Sequence, residues 1–161
     1  MASSEKNLSG NSLFSHAHVS QFRFGIVVSE WNDQITEAMY EAAVQTILKM
    51  GGEKQHITRL SVPGSFELPI GAQSLAKRQD IDAVICIGCV IQGETRHFDF
   101  ICGAVANGIT SVALQHEKPV IFGVLTTNNL QQAIDRAGGM HGNKGDEAGY
   151  TAVKMLLALK G

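Results

Sequence analysis

One segment, residues 83–100 with the sequence AVICIGCVIQGETRHFDF, restricts the fold of this chain more than any other. It opens with a continuous apolar run rich in Ile and Val, which is typical of a strand buried on both faces of a parallel sheet. The run stops before Gly93, is followed by a polar corner at residues 94–97, and gives way to apolar residues at helical spacing. A strand, a glycine turn and a helix start together predict a βα unit.

This strand–helix alternation occurs four times along the chain, and an additional helix follows at the C-terminus. Strands are predicted at residues 22–29, 55–62, 83–91 and 120–125. Parallel strands need crossover connections, and the helices in those connections must cover both faces of the sheet. The pattern therefore predicts an α/β fold, a three-layer α/β/α sandwich around a four-stranded parallel sheet.

Apolar residues at helical spacing predict the buried faces of the helices. The first helix is expected to begin at Asn32 or Asp33 and to bury Ile35, Met39, Ala43 and Ile47. Another is expected from about Ser65 to residue 78. The last helix is expected to begin near Asp146, with the buried stripe Ala148, Ala152, Met155, Leu156 and Leu159.

Length and charge exclude several classes of protein. A chain of 161 residues can bury a core as one domain, which we assign to residues 22–161 after a flexible arm at residues 1–21. The formal charge of −2 provides no field that would attract nucleic acid or an anionic membrane. No apolar segment reaches membrane-spanning length without a charge or a glycine, and the arm lacks the features of a secretory or transit peptide. We therefore expect a cytoplasmic protein.

The cysteines and histidines do not predict a metal site. Cys86 and Cys89 form a CxxC pattern, but residues three apart in a strand project to opposite faces of the sheet. No second CxxC follows, and the six histidines show no metal-ligand spacing on one element. Buried cysteine often serves as a small apolar residue, so we interpret this pair as part of the core.

The residues that follow each strand are the candidates for function, because open parallel sheets bind ligands at the carboxyl ends of their strands. Trp31 is either a packing residue or a plate that stacks on a flat heterocycle. Glu67, beside Ser65, either favours a helix N-terminus or contacts a ligand. Glu94 and Thr95 lie in a glycine turn before a helix, where backbone N–H groups can bind an anion.

Three further side chains have both a structural and a chemical interpretation. His97 is either a structural residue or a general acid–base group, a role to which an imidazole is suited. Arg136 either complements the dipole of a helix C-terminus or binds a phosphate. Lys144 lies in a glycine-rich loop, residues 138–145, that could let the backbone approach a ligand. Neither the G-x-G-x-x-G fingerprint nor a P-loop is present.

Five motifs, in the same order, together resemble the 6,7-dimethyl-8-ribityllumazine synthase family of riboflavin biosynthesis. They cover nearly all of the chain after residue 21, and the resemblance implies a flavodoxin-like fold. The motifs are WN at residues 31–32, VPGSFELP at 62–69, VIQGETRHFDF at 90–100, PVIFGVLTTNN at 119–129, and QAIDRAG with GNKG between residues 132 and 145.

The resemblance also implies a reaction. The enzyme would be a transferase that condenses 5-amino-6-(D-ribitylamino)uracil with 3,4-dihydroxy-2-butanone 4-phosphate, releasing phosphate and water, at the penultimate step of the pathway. No cofactor and no metal would be needed. His97 would be the catalytic residue. The substrate-binding residues would be Trp31, Ser65, Phe66, Glu67, Val90, Ile91, Glu94, Thr95, Phe122, Arg136 and Lys144.

Assembly is a further implication of the resemblance. In the family the pocket lies between neighbouring subunits of a homopentamer, and some members build an icosahedral shell of sixty subunits. The N-terminal arm could add a strand to the sheet of a neighbouring subunit, and riboflavin synthase would be a partner enzyme. Gln92 stands where the family commonly has a basic residue, which would reduce the positive potential near the phosphate.

Two alternatives belong to other classes of protein. One is a non-catalytic module that binds a flavin or a lumazine, or a shell that scaffolds a partner enzyme. Such a module has no use for His97 beside an anion site. The other is a flavodoxin-like or nucleotide-binding domain, which the absent fingerprint disfavours.

Overall fold

The structure is a computed structural model that describes residues 19–160. Its four main strands form one parallel sheet in the order β2-β1-β3-β4, as predicted. Most of the proposed N-terminal arm, and with it the strand that the arm could contribute to a neighbour, lies outside the described residues. The elements are β1 (Phe24–Ser29), α1 (Asp33–Lys49), β2 (Ile57–Val62), α2 (Leu68–Ala76), β3 (Ala83–Ile91), α3 (His97–His116), β4 (Val120–Thr127), α4 (Leu130–Arg136), the hairpin β5 (Ala137–Gly139) and β6 (Gly142–Asn143), and α5 (Lys144–Lys160).

Two apolar clusters, one on each face of the sheet, confirm the three-layer architecture. On one face, residues of α1 and α5 such as Met39 and Leu156 pack against Ile26 and Ile85 of the sheet. On the other face, α2 and α3 cover the sheet with a second cluster that includes Leu68, Leu75, Val105 and Ile109. Alternate residues of each strand enter opposite clusters because successive side chains of a strand point to opposite faces.

The two cysteines of β3 follow this alternation. Cys86 belongs to the cluster beneath α2 and α3, and Cys89 belongs to the cluster beneath α1 and α5. Burial raises the pKa of the Cys89 thiol to about 11, and it also raises the pKa of Cys86. Both thiols therefore stay protonated at neutral pH, as residues of a packed core do.

Helix α5 differs from its prediction in its start and in its buried face. It begins at Lys144 rather than near Asp146, because the Asn143 side chain accepts a hydrogen bond of 2.8 Å from the Gly145 N–H and caps the first turn. Ala148, Ala152 and Leu156 are buried as expected. The prediction is wrong for Met155 and Leu159, which are 40% and 61% exposed.

Glycine permits the close approach of α5 to α1. A Cβ atom on Gly145 would lie 1.9 Å from the carbonyl oxygen of Met39 in α1. One turn further on, a Cβ on Gly149 would lie 2.7 Å from the carbonyl oxygen of Ala43. Side chains at these two positions would push the helices apart, so the pair fixes where the start of α5 lies.

Helix α3 is apolar on more than its core face. Val105, Ile109 and Val112 are buried against the sheet, whereas Phe100 and Leu114 are 73% and 75% exposed. The 20 residues of α3, which include one aspartate and two glycines, meet the criteria for a membrane-crossing helix by length and hydropathy alone. Its packing on the sheet is that of a surface helix with an uncovered apolar side.

Candidate active site

Two clefts, formed by different parts of the chain, contain most of the predicted site residues. The first, which we call the Trp31 cleft, has a volume of about 310 Å³ and opens between the carboxyl ends of β1 and β3 and the turns that precede α2 and α3. The second, the Arg136 cleft, has a volume of about 400 Å³ and runs along the edge strand β4. The described linings of the two clefts have no residue in common.

The Trp31 cleft gathers an aromatic ring, a carboxylate, a hydroxyl and an imidazole. Trp31 is 73% exposed at its rim. Eleven described residues line this cleft, of which seven were predicted as site residues and four were not. The predicted residues are Trp31, Ser65, Phe66, Glu67, Val90, Ile91 and His97, and the others are Asn32, Gly64, Cys89 and Ile101.

The turn before α2 is fixed in the Trp31 cleft by its packing on β3. Residues Ser65–Glu67 form a single 3₁₀ turn, and α2 follows directly, with Pro69 in its first turn. Ser65 is buried over Gly88 of β3. A Cβ on Gly88 would lie 2.8 Å from the Ser65 Oγ and 2.8 Å from a methyl carbon of Leu68. The bare glycine thus makes room for the Ser65 hydroxyl at the end of the sheet.

The polar corner before α3 is exposed. Its Thr95 side chain accepts a hydrogen bond of 3.4 Å from the N–H of His97, the first residue of α3. Arg96 and Asp99 form a weak ion pair, with 3.8 Å between Nε and Oδ2. Two carboxylates, those of Glu94 and Asp99, therefore offset the one arginine at this corner. Glu94 and Thr95 line neither cleft within the described part of the chain.

The Arg136 cleft contains three more of the predicted site residues. Phe122 projects from β4, Arg136 ends α4 and Lys144 begins α5. The guanidinium of Arg136 donates a hydrogen bond of 3.0 Å to the carbonyl of Gln132. Its remaining N–H groups can bind a phosphate, because a guanidinium carries five donors in a planar fork.

Glu147 also lines the Arg136 cleft, and it is not among the site residues predicted from the sequence. Its carboxylate lies 2.7 Å from the ammonium of Lys144, and both side chains are about one-quarter exposed. The ion pair offsets the charge of Lys144, so Arg136 is the cation of this cleft without a carboxylate partner among the described residues. The spacing of three residues on one helix was the available signal for this pair.

The Trp31 cleft has groups that suit a heterocyclic reactant, and the Arg136 cleft has groups that suit a phosphorylated one. The described lining of the Trp31 cleft has a stacking surface and hydrogen-bonding groups but neither lysine nor arginine. The Arg136 cleft has two cations and the ring of Phe122. Within residues 19–160, no three His, Cys, Asp or Glu side chains converge as a metal site would require.

Comparison with known proteins identifies the family. The sequence model of 6,7-dimethyl-8-ribityllumazine synthase matches residues 21–160. The chain belongs to this family. A 6,7-dimethyl-8-ribityllumazine synthase of Cytophaga hutchinsonii is 63% identical over 156 residues, covering 97% of this chain and 98% of the relative. The corresponding proteins of Flavobacterium johnsoniae and Parabacteroides distasonis are 54% and 49% identical, over 96% and 97% of this chain and 82% and 98% of their own lengths.

Membership in the lumazine synthase family confirms three expectations from the sequence. The family itself is the one that the five motifs indicated. The flavodoxin-like α/β sandwich is present. The chain is an enzyme of riboflavin biosynthesis that forms 6,7-dimethyl-8-ribityllumazine, a transferase reaction.

Proposed function

We propose that the chain condenses 5-amino-6-(D-ribitylamino)uracil with 3,4-dihydroxy-2-butanone 4-phosphate at a site shared by two subunits. The observation that carries this proposal is the division of the site residues between two clefts of one chain. A uracil ring suits the aromatic Trp31 cleft, and a phosphate suits the cations of the Arg136 cleft. A site formed by the Trp31 cleft of one chain and the Arg136 cleft of the next would hold both reactants.

The proposed reaction proceeds in three steps. The amine of the uracil forms an imine with the ketone and releases one water, phosphate is then eliminated, and ring closure releases a second water. No redox change and no metal-bound intermediate is required. Most of the rate would come from holding the reactants together, and His97, at the start of α3, would move protons between them.

The Trp31 cleft would bind the uracil. Trp31 stacks on the ring, and the backbone of Val90 and Ile91 contacts the heterocycle at the end of β3. Ser65, Glu67 and the backbone of Phe66 hold the ribityl chain. The lining of this cleft supports the assignment, since all six residues belong to it.

The phosphate would lie between two chains. Arg136 of one chain and the corner of the other, with Glu94, Thr95 and the first N–H groups of α3, bind its oxygens. The acidic balance of that corner supports a shared site, because the corner alone has no excess of positive charge for an anion. Phe122 and Lys144 complete the pocket from the side of Arg136.

The assembly would be a homopentamer, either alone or as one of twelve pentamers in an icosahedral shell of sixty subunits. The exposed apolar side of α3, with Phe100 and Leu114, supports burial against a neighbouring subunit. The arm at residues 1–21 would add a strand to a neighbouring sheet, and residues 22–161 would form the single domain. We place the enzyme in the cytoplasm, with riboflavin synthase as the partner that consumes the product.

Turnover tests the reaction. Purified protein is mixed with both reactants, and lumazine absorbance is followed together with phosphate release. We expect one phosphate per lumazine formed. Binding of the uracil with no product at any enzyme concentration would contradict the enzyme assignment and favour a binding module.

Mixing variants tests the shared site. Trp31→Ala and Arg136→Ala are each expected to be inactive or slow, and co-assembly of the two at equal amounts should restore activity at about one in four sites by random pairing. Co-assembled Trp31→Ala and His97→Ala should not recover, because both residues belong to the same cleft. Absence of recovery in the first mixture would contradict the shared site.

A further inference from the structure

The residue that follows Trp31 has an unusual backbone conformation. Asn32 has φ 62° and ψ 45°, in the left-handed region. Glu117 is the other non-glycine residue with positive φ in the described part of the chain. Asparagine tolerates this conformation better than most residues. The carbonyl of Asn32 accepts the first helical hydrogen bonds of α1, from the N–H groups of Ile35 and Thr36.

The Asn32 side chain bonds to the neighbouring strand instead of capping its own helix. An asparagine at this position usually accepts a hydrogen bond from the first turn of the helix, but Asn32 makes no such bond. Its Nδ2 donates to the carbonyl of Cys89 in β3 over 3.0 Å in a partly buried contact. The pairing of β1 with β3 ends at Val28 and Ile87. Asn32 therefore supplies a donor to a β3 carbonyl beyond the end of that ladder.

The backbone of Trp31 makes a second hydrogen bond that fixes this turn. The backbone N–H of Trp31 donates to the carbonyl of Pro63, beyond the end of β2, over 3.1 Å. The indole side chain is largely exposed and has little packing of its own to fix it. The orientation of the ring therefore depends on its backbone, which is anchored to Pro63 after β2 and, through Asn32, to β3.

We infer that Asn32 is a positioning residue, which holds the Trp31 ring in the orientation that stacks on the uracil reactant. This inference rests on the proposed stacking role of Trp31. The left-handed turn sets the direction in which the chain leaves β1, and the bond to Cys89 holds that turn against the sheet. Its effect is on binding of the heterocycle and not on proton transfer at His97.

Two substitutions separate the amide from the backbone conformation. Asn32→Gly retains the left-handed turn and removes the donor. Asn32→Asp retains tolerance of the same turn but replaces the donor by a carboxylate oxygen, which repels the Cys89 carbonyl. Both variants keep every other residue of the cleft, and both are expected to loosen Trp31.

Trp31 is the single tryptophan of the chain, so its fluorescence anisotropy decay reports on this ring alone. We expect a larger fast component in both Asn32 variants than in the wild type. KM for the ribitylaminouracil should rise about threefold to tenfold, the effect of one lost hydrogen bond. The kcat value and KM for the butanone phosphate should change by less than about twofold. Glu117→Gly is the matched control, since it relaxes the other left-handed residue and should leave the Trp31 decay unchanged.

Three results would overturn the inference. The first is a wild-type decay in both Asn32 variants. The second is a loosened Trp31 with unchanged KM for the uracil, and the third is a Glu117→Gly variant with the same change in decay. If the wild-type protein shows no turnover, the proposed reaction fails, whereas the anisotropy decays still decide whether Asn32 holds Trp31.

Discussion

The Trp31 cleft and the Arg136 cleft are held together by different kinds of interaction. In the first, backbone bonds and close packing on β3 fix the residues, as the Trp31 N–H and Ser65 over Gly88 show. In the second, a side-chain ion pair between Lys144 and Glu147 lines a groove along the edge of the sheet. The first arrangement suits a flat neutral ring and the second suits an anion. The two clefts should therefore respond to different substitutions and to different solution conditions.

The largest effect is expected at His97. Replacement of His97 by Gln removes the imidazole and should reduce kcat about 10²-fold while turnover continues, because we expect positioning to supply most of the rate. Initial rates at saturating concentrations of both reactants measure this change. A complete loss of product would mean that proton transfer, and not positioning, dominates the reaction.

Arg136 and Trp31 should separate the two reactants. Arg136→Ala removes charge-assisted hydrogen bonds and should raise KM for the butanone phosphate about 10- to 100-fold, with little change in affinity for the uracil. Trp31→Ala should instead raise KM for the uracil, with little change in affinity for the butanone phosphate. Titration of each variant with each reactant measures both affinities. Equal losses for both reactants in both variants would break the distinction between the clefts.

Gly88 should be sensitive through packing alone. A methyl group at Gly88 would lie 2.8 Å from both the Ser65 Oγ and Leu68. Gly88→Ala should therefore lower the free energy of unfolding by about 1–3 kcal/mol and weaken uracil binding, with phosphate binding retained. Chemical denaturation and reactant titration provide the two measurements. An equal loss of uracil and phosphate binding would refute the explanation by local packing.

The smallest effect is expected at Glu147. Glu147→Gln leaves the ammonium of Lys144 without its carboxylate partner, so the cleft becomes more positive. KM for the butanone phosphate should fall about twofold to fivefold at low salt. The difference should shrink as salt is added, because ions screen partly exposed charges. A rise in KM would show instead that the ion pair holds Lys144 in the orientation that binds the phosphate.

The sequence predicts the layers of this fold well because apolar periodicity is a local property. The β3 run is apolar at every position, and its burial on both faces follows directly. Strand β4 continues two residues past its predicted end, to Thr127, because Thr126 and Thr127 pair with Val90 and Ile91. Threonine is polar but favourable in strands, and hydrophobicity alone does not reveal the extension.

The surface of the helices was harder to predict. Met155 and Leu159 fit the apolar stripe of α5, yet both side chains are exposed, although Leu156 beside Met155 is buried. Phe100 and Leu114 on α3 are apolar and exposed as well. A helical pattern shows which residues are apolar, but the neighbours that cover them depend on tertiary structure.

The candidate site was predicted residue by residue but not in its connections. Strand ends and motifs indicated twelve candidate residues, whose roles stay predictions; ten of the twelve line the two clefts, and Glu94 and Thr95 line neither. The roles of Asn32 and Glu147 depend on what their side chains contact, namely the Cys89 carbonyl and the Lys144 ammonium. The first contact joins residues 57 positions apart, which no local pattern contains.

Helix α1 connects the two clefts within one chain. It begins directly after Trp31 and Asn32, and its Met39 carbonyl faces Gly145, the residue next to Lys144. The distance from the Trp31 cleft to the Arg136 cleft is thus set by the length of α1 and by the contact between the backbones of α1 and α5. In a ring where each chain contributes its Trp31 cleft to one site and its Arg136 cleft to the next, the spacing of successive sites would be fixed by the fold of the single subunit.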